Sequence, residues 1–284
     1  MNWVSRPVVS GTGVPTFIYH GFYRSERELL SLPAGEERYF LPLEQFHSHL
    51  DYLVEHRFHS YSVEGYLERQ GTVSERSLIL TFDDGHISNY LWIWPMLLSR
   101  GFRATFFIVA DWLDRPGRIS REQLREMLRN GISVGSHGLT HTPLSRLSRP
   151  QLDSELVRSK DTLEQITGAK VQHLAVPGGF VNDQVLERAQ EAGYECVCTS
   201  APGLFRTGFV MHRLSVTRLT RLRSFIGLAN RSKAQLAKRW AAYHVLQGSK
   251  RLVGVDNYER IWTKIPRFRR SITKSSNATG TDAS

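Results

Sequence analysis

SLILTFDDG (residues 77–85) joins a short run of apolar, β-branched and aromatic residues to two adjacent carboxylates, Asp83 and Asp84, with a glycine directly behind them. Along a strand, successive side chains point to opposite faces, so both acids can serve one place only where the strand ends and the chain turns. Gly85 permits such a turn. In parallel α/β folds the carboxyl ends of the strands are where active sites assemble. Two neighbouring anions repel unless a cation or a proton relieves them, which suggests that one binds metal while the other handles protons. Taken alone, the doublet could also be a helix N-cap beside a solvated acid.

Segments of the same strand character recur on both sides: TFIYH (16–20), ATFFIV (104–109), ISVGSH (132–137), VQHLAV (171–176), YECVCTS (194–200) and HRLSV (212–216). Between them lie stretches of helical period. Phe46, Leu50, Leu53 and Val54 fall at the spacings of one helix face. Ser120 with Gln123 has the form of a capping box, with Gly131 placed to end that helix. Ser148 can cap a helix that Gly168 stops, and Asn182 can cap DQVLERAQEAG. Strands alternating with helices of this length predict βαβ units and a parallel sheet or barrel.

The chain has 284 residues, of which 40% are hydrophobic, enough for one substantial core. Its formal charge of +10 is unevenly placed. Residues 1–217 carry 22 Lys+Arg against 24 Asp+Glu, while residues 218–284 carry 15 against 3. Cys196 and Cys198 are the only cysteines, too few for a disulfide framework. Two apart on a strand, they point to one face and read as reduced core thiols.

A second constellation gives the acids their meaning. His137 and His141, in SHGLTH, stand four apart, again after a strand; if the segment turns into a helical loop, both imidazoles lie within reach of one ion. One carboxylate and two imidazoles leave positions open for water and substrate, the pattern of a catalytic rather than a structural metal site. A divalent ion so held suits hydrolysis of an amide or ester, with the unligated aspartate accepting a proton as water attacks.

TFDDG (81–85), GFRATFFIV (101–109) and NGISVGSHGLTH (130–141), in that order, resemble the first motifs of the polysaccharide deacetylase family, carbohydrate esterase family 4, and VPTFIYHGF (14–22) resembles the amino-terminal part of bacterial members. The resemblance covers roughly residues 14–217. It implies a distorted (β/α) barrel of about seven strands, zinc (cobalt or manganese being alternatives) as cofactor, and removal of acetyl groups from sugars. It also implies that Asp83 is the general base and that Asp84, His137 and His141 hold the metal. The third family motif, R-x-P-x-G, is matched by AVPGG with Pro177 and Gly179 kept as substrate-binding residues, but Ala175 stands where an arginine orients the base. The fifth motif, which supplies the acid that protonates the leaving amine, has no clean match. His212 in FVMHRLSV lies near its place, and His20 can line the pocket.

These readings divide the chain into a barrel over 1–217, a basic helical extension over 218–274 and a disordered tail over 275–284. In the extension, Leu236, Trp240, Tyr243 and Leu246 give KAQLAKRWAAYHVL one apolar and one cationic side. Such a helix can lie on an anionic membrane or pack on the barrel; no nucleic-acid-reading module accompanies it. The start has no signal-peptide pattern and no eighteen apolar residues run together, which reads as a cytoplasmic protein acting on an N-acetylated carbohydrate during surface or exopolysaccharide assembly. Two rivals remain: a deformylase or other amide hydrolase with the same ion, and a non-catalytic carbohydrate-binding or assembly protein.

Overall fold

The structure is a computed structural model that describes residues 13–32, 35–69 and 73–253, with side chains described as far as Leu246. The expected tail over 275–284 lies outside the described residues. Twelve short strands are formed among those described. In chain order they are β1 (Val14–Tyr19), β2 (Phe22–Tyr23), β3 (Leu41–Pro42), β4 (His59–Tyr61), β5 (Ser77–Phe82), β6 (Thr105–Ile108), β7 (Ser133–Ser136), β8 (His173–Ala175), β9 (Cys196–Cys198), β10 (Leu204–Phe205), β11 (Val210–Met211) and β12 (Leu214–Ser215). Between and after them run helices α1 (Glu26–Leu30), α2 (Leu43–Glu55), α3 (Val63–Leu67), α4 (Trp94–Ser99), α5 (Arg121–Arg129), α6 (Arg149–Thr167), α7 (Asp183–Glu191), α8 (Leu222–Ala229) and α9 (Lys233–Val253).

The main sheet follows the order β10-β1-β5-β6-β7-β8-β9-β11, with β4 added to β5 and β12 added to β1. Every neighbouring pair from β1 to β11 is parallel, and only β10 runs antiparallel, on β1. Eight strands thus succeed one another where about seven were expected. The sheet curls into a nearly closed, distorted (β/α) barrel. Its seam lies between β11, paired to β9, and β12, paired to β1, so the two residues that cross it are His212 and Arg213.

The strand alternation sorts the core. In β5, Leu78, Leu80 and Phe82 pack outward with Phe46, Leu50 and Leu53 of α2, while Ile79 faces a separate cluster inside the barrel made with Phe107, Ala175, Cys196, Cys198 and Met211. Both cysteines are buried, free and on one face. Val54, placed on the α2 stripe by its spacing, is exposed at the edge of that stripe.

The helix signals act as read. Ser120 and Gln123 form the capping box of α5, Gly168 ends α6 at φ 70°, and Asn182 Oδ1 accepts from Val185 N at 2.9 Å to cap α7. The basic segment after residue 217 begins inside the packed body. Phe225 of α8 lies 4.9 Å from the Phe17 ring and 3.9 Å from the His49 ring, and Arg231 donates to the carbonyls of Gly13 and Ser77. The expected boundary at 217 therefore cuts through a core layer; among the described side chains, α9 becomes mostly exposed beyond Leu236, with Arg239 still reaching back to Thr220.

Candidate active site

The β5 alternation places Ile79, Thr81 and Asp83 on the inner face, so Asp83 enters the barrel mouth in register with its strand. Asp84 would point the other way if the strand continued. Instead Asp84 and Gly85 take φ of 74° and 66°, and this left-handed turn brings the second carboxylate back beside the first. The conformation is uncommon for a side-chain-bearing residue, though aspartate tolerates it better than most.

Asp84 meets both histidines expected of it. Its Oδ1 lies 3.4 Å from His137 Nε2 and 3.3 Å from His141 Nε2, and one ligand atom from each of the three residues lies within 4.8 Å of the others. The route differs from the helical loop expected of the spacing. Residues 138–141 form an irregular loop in which Gly138 and His141 both have positive φ, at 79° and 68°. Glu155 of α6 clamps that loop: its Oε2 accepts from Leu139 N at 2.8 Å and Thr140 N at 3.1 Å, and its Oε1 accepts from Thr140 Oγ1 at 2.6 Å. A Cβ on Gly138 would approach Glu155 Oε2 to 3.2 Å and Pro177 Cγ to 3.5 Å, so Pro177 supports this loop from the other side.

The three residues fit a divalent cation. His137 Nδ1 must donate to the Ala175 carbonyl, 2.7 Å away, because a carbonyl only accepts, and this leaves Nε2 aimed at Asp84. Asp84 Oδ1 is buried and makes no hydrogen bond of good geometry, although both imidazole nitrogens are near it. A buried carboxylate oxygen facing two imidazole nitrogens is relieved by a cation or a proton between them. Burial works to raise the Asp84 carboxyl, but the two imidazoles outweigh it and hold it well below the usual carboxylate range.

Asp83 is held differently, by a residue that motif reading passed over. Arg213 donates through both terminal nitrogens, Nη1 to Oδ1 and Nη2 to Oδ2, each at 2.8 Å; it also donates to Thr81 Oγ1 at 3.1 Å and Thr199 O at 3.2 Å. Arg213 is fully buried and Asp83 is 3% exposed. Burial would raise the Asp83 carboxyl, yet the guanidinium beside it lowers it below its ordinary value. The arginine missing at Ala175 is thus supplied from the barrel seam. The signal for it was the arginine of HRLSV, next to the histidine that drew attention.

The remaining expected residues fall around this centre. His20 follows β1 and interacts electrostatically with Asp83, Asp84 and His137; burial, the largest influence, lowers its pKa. Its ring lies 4.9 Å from Tyr39. His212 is buried at the seam with Nδ1 3.4 Å from Thr199 Oγ1. Gly179 ends a short turn after β8 with φ 74° and abuts Ser200. Trp112, which the sequence did not single out, lies 4.8 Å from the His141 ring and under the Arg118 guanidinium.

Fold and site together define a (β/α)-barrel protein with a two-histidine, one-carboxylate centre beside an arginine-held acid. Residues 70–197 match the family model for polysaccharide deacetylase. YxkH of Bacillus subtilis is 27% identical over 183 residues, covering 62% of this chain and 66% of that protein. Peptidoglycan-N-acetylglucosamine deacetylase of Bacillus cereus is 28% identical over 137 residues, 48% of this chain and 62% of that protein. The chain thus spans just under two thirds of these curated relatives' length. Among solved structures, the polysaccharide deacetylase BC0361 of Bacillus cereus superposes with a TM-score of 0.66 at 25% identity, over 76% of this chain and 69% of that one. The Streptococcus pyogenes deacetylase PplD, in complex with acetate, shares the fold with a TM-score of 0.69 at 21% identity, over 78% and 99%.

Proposed function

We propose that the protein is a metal-dependent hydrolase that removes acetyl groups from an N-acetylated sugar or oligosaccharide, in the assembly of a surface or exported polysaccharide. The observation that carries this reading is the pairing of two unlike acids at one strand end: Asp84 facing two imidazole nitrogens, and Asp83 ionised against a buried guanidinium. Relatives named as deacetylases of peptidoglycan N-acetylglucosamine and of chitooligosaccharides support the choice of substrate class.

Asp84, His137 and His141 would hold the cation, zinc by preference for this nitrogen-and-oxygen ligand set, with cobalt or manganese as substitutes. A bound divalent ion supplies Lewis acidity, drawing the pKa of water down to about 7 and polarising a carbonyl. Asp83 then accepts the proton that the attacking water gives up as the new carbon–oxygen bond forms. Arg213 keeps Asp83 ionised and fixed in the plane of its own guanidinium, so the carboxylate arrives at the reaction in the basic form. As the carbon–nitrogen bond breaks, the leaving amine needs a proton, for which His212 and His20 are the candidate donors.

The test is acetate release from N-acetylglucosamine oligomers with zinc, cobalt or manganese added, read beside metal content. Asp83→Asn should keep its metal and lose nearly all turnover, and His137→Ala should lose the metal. Metal binding without acetate release would move the reaction to another amide, such as a formamide. Neither metal nor acetate would make the protein a carbohydrate binder.

A further inference from the structure

A pinned turn with an apolar crest stands at the same end of the barrel as the site. Val216 N donates to Ile18 O at 3.0 Å, so the chain leaving β12 emerges where β1 runs into His20. Arg218 in the emerging segment reaches Tyr23 of β2, just beyond His20. Thr220 then fixes the turn from three directions. Its Oγ1 accepts from Thr217 N at 3.1 Å and from Arg239 of α9 at 2.9 Å, and its carbonyl accepts from Gln45 Nε2 at 2.5 Å. The turn is therefore pinned by hydrogen bonds, and it displays two apolar side chains: Leu219 at the crest is 70% exposed and Leu222 is 39% exposed. Arg221 and Arg223 flank the leucines and are exposed, as are Lys233 and Lys238 on α9. From residue 196 to 255 the sequence holds eleven Lys+Arg and no Asp or Glu.

We propose that this rim docks on the anionic face of a lipid bilayer, with Leu219 and Leu222 entering the acyl boundary and Arg221 and Arg223 meeting headgroup phosphates. Apolar tips ringed by arginines match a surface in which hydrocarbon lies under phosphate. A soluble polyanion would engage the arginines but leave the leucines in water. Among the described residues no helix is long and apolar enough to cross a membrane, and the contact inferred is at the surface. In this pose the barrel mouth faces the lipid, so a saccharide carried on a lipid anchor would be presented to Asp83 and Asp84. That last consequence rests on the deacetylase reading, whereas the docking does not.

The experiment is flotation of the full chain with vesicles of phosphatidylcholine alone and of phosphatidylcholine mixed with phosphatidylglycerol, without substrate. The protein should float with the mixed vesicles and not with the neutral ones, and salt should weaken its partition. Arg221→Gln and Arg223→Gln should each reduce partition about five-fold, and Leu219→Ser should reduce it further, while circular dichroism shows the fold intact. Equal binding to both vesicles, no binding to either, or binding that survives all three substitutions would overturn the proposal. So would capture of a soluble anionic polymer without vesicle binding. Vesicle binding by a chain that releases no acetate would leave the docking standing and remove only the deacetylase reading.

Discussion

Arg213→Met removes a guanidinium while keeping most of the side chain's volume in the barrel, which isolates the charge from the packing. Both oxygens of Asp83 then lose donors that now sit at 2.8 Å, in a place where Asp83 is 3% exposed. Removing one partner of a buried ion pair costs about 3–5 kcal/mol, because the other charge stays behind without compensation. For a domain of this size that corresponds to a melting temperature lower by roughly 10 °C. The orphaned carboxyl can escape the cost by taking up a proton, which ends its service as a base, and turnover should fall by about 10²–10⁴-fold. Arg213→Lys should fall between, since a single ammonium cannot meet both oxygens as the planar fork does. Thermal melts and acetate release separate the two roles. Asp83→Asn with Arg213→Met leaves neither charge buried alone and should recover stability without recovering turnover. Arg213→Met with Ala175→Arg returns a guanidinium to the third-motif position and should recover part of both. An Arg213→Met protein that melts and turns over like the parent would refute the reasoning, as would a double variant with Asp83→Asn no more stable than Arg213→Met alone.

Glu155→Gln leaves an oxygen for the Leu139 and Thr140 amides but loses the charge that holds them, and should weaken zinc binding about 10–100-fold in a competition titration with a chromophoric chelator. Parallel assays of His20→Ala and His212→Ala should show the larger loss of kcat in the variant lacking the proton donor, and a substrate with a better leaving group should restore that variant selectively. Burial pushes His49 down to about 3 and His173 to about 4, from an ordinary value of 6.5. Between those values and 6.5 the unfolded chain binds protons that the folded chain refuses, so stability should be full above pH 6.5 and decline as pH falls. At pH 5 each histidine accounts for about 2 kcal/mol by this linkage, and His49→Phe should flatten the slope measured by denaturant unfolding.

Much of the fold was legible because parallel strands buried on both faces read as short apolar runs, and because the caps of α5, α6 and α7 use local chemistry that the sequence writes out in full. The cluster of Asp84, His137 and His141 was legible for a similar reason: each follows a strand whose direction is fixed by the βαβ rule. Their path was not, since the loop that carries His141 is held by Glu155 of α6, which spacing alone does not announce, and Asp84 and His141 both take left-handed φ. The edge of the basic segment was hidden too, because α8 enters the core through Phe225 and Leu228 while its other face stays cationic.

Arg213 shows how a contact expected from one position of the sequence can be made from another. Ala175 of β8 and Met211 of β11 both register with Cys198 of β9, so the three lie in one row across the barrel's inner face. Arg213 lies two residues past Met211 and returns to the same face by the strand period. Ala175 and Cys198 are small, and they leave room along that row for a long side chain arriving from the seam. Its guanidinium passes 5.2 Å from the Phe107 ring and ends on Asp83. A large residue at 175 would close that route, and an arginine at 175 would make Arg213 redundant and place two cations beside one carboxylate. Alanine at the third-motif position is therefore the complement of arginine at 213, and the two sites should tolerate one guanidinium between them rather than two or none.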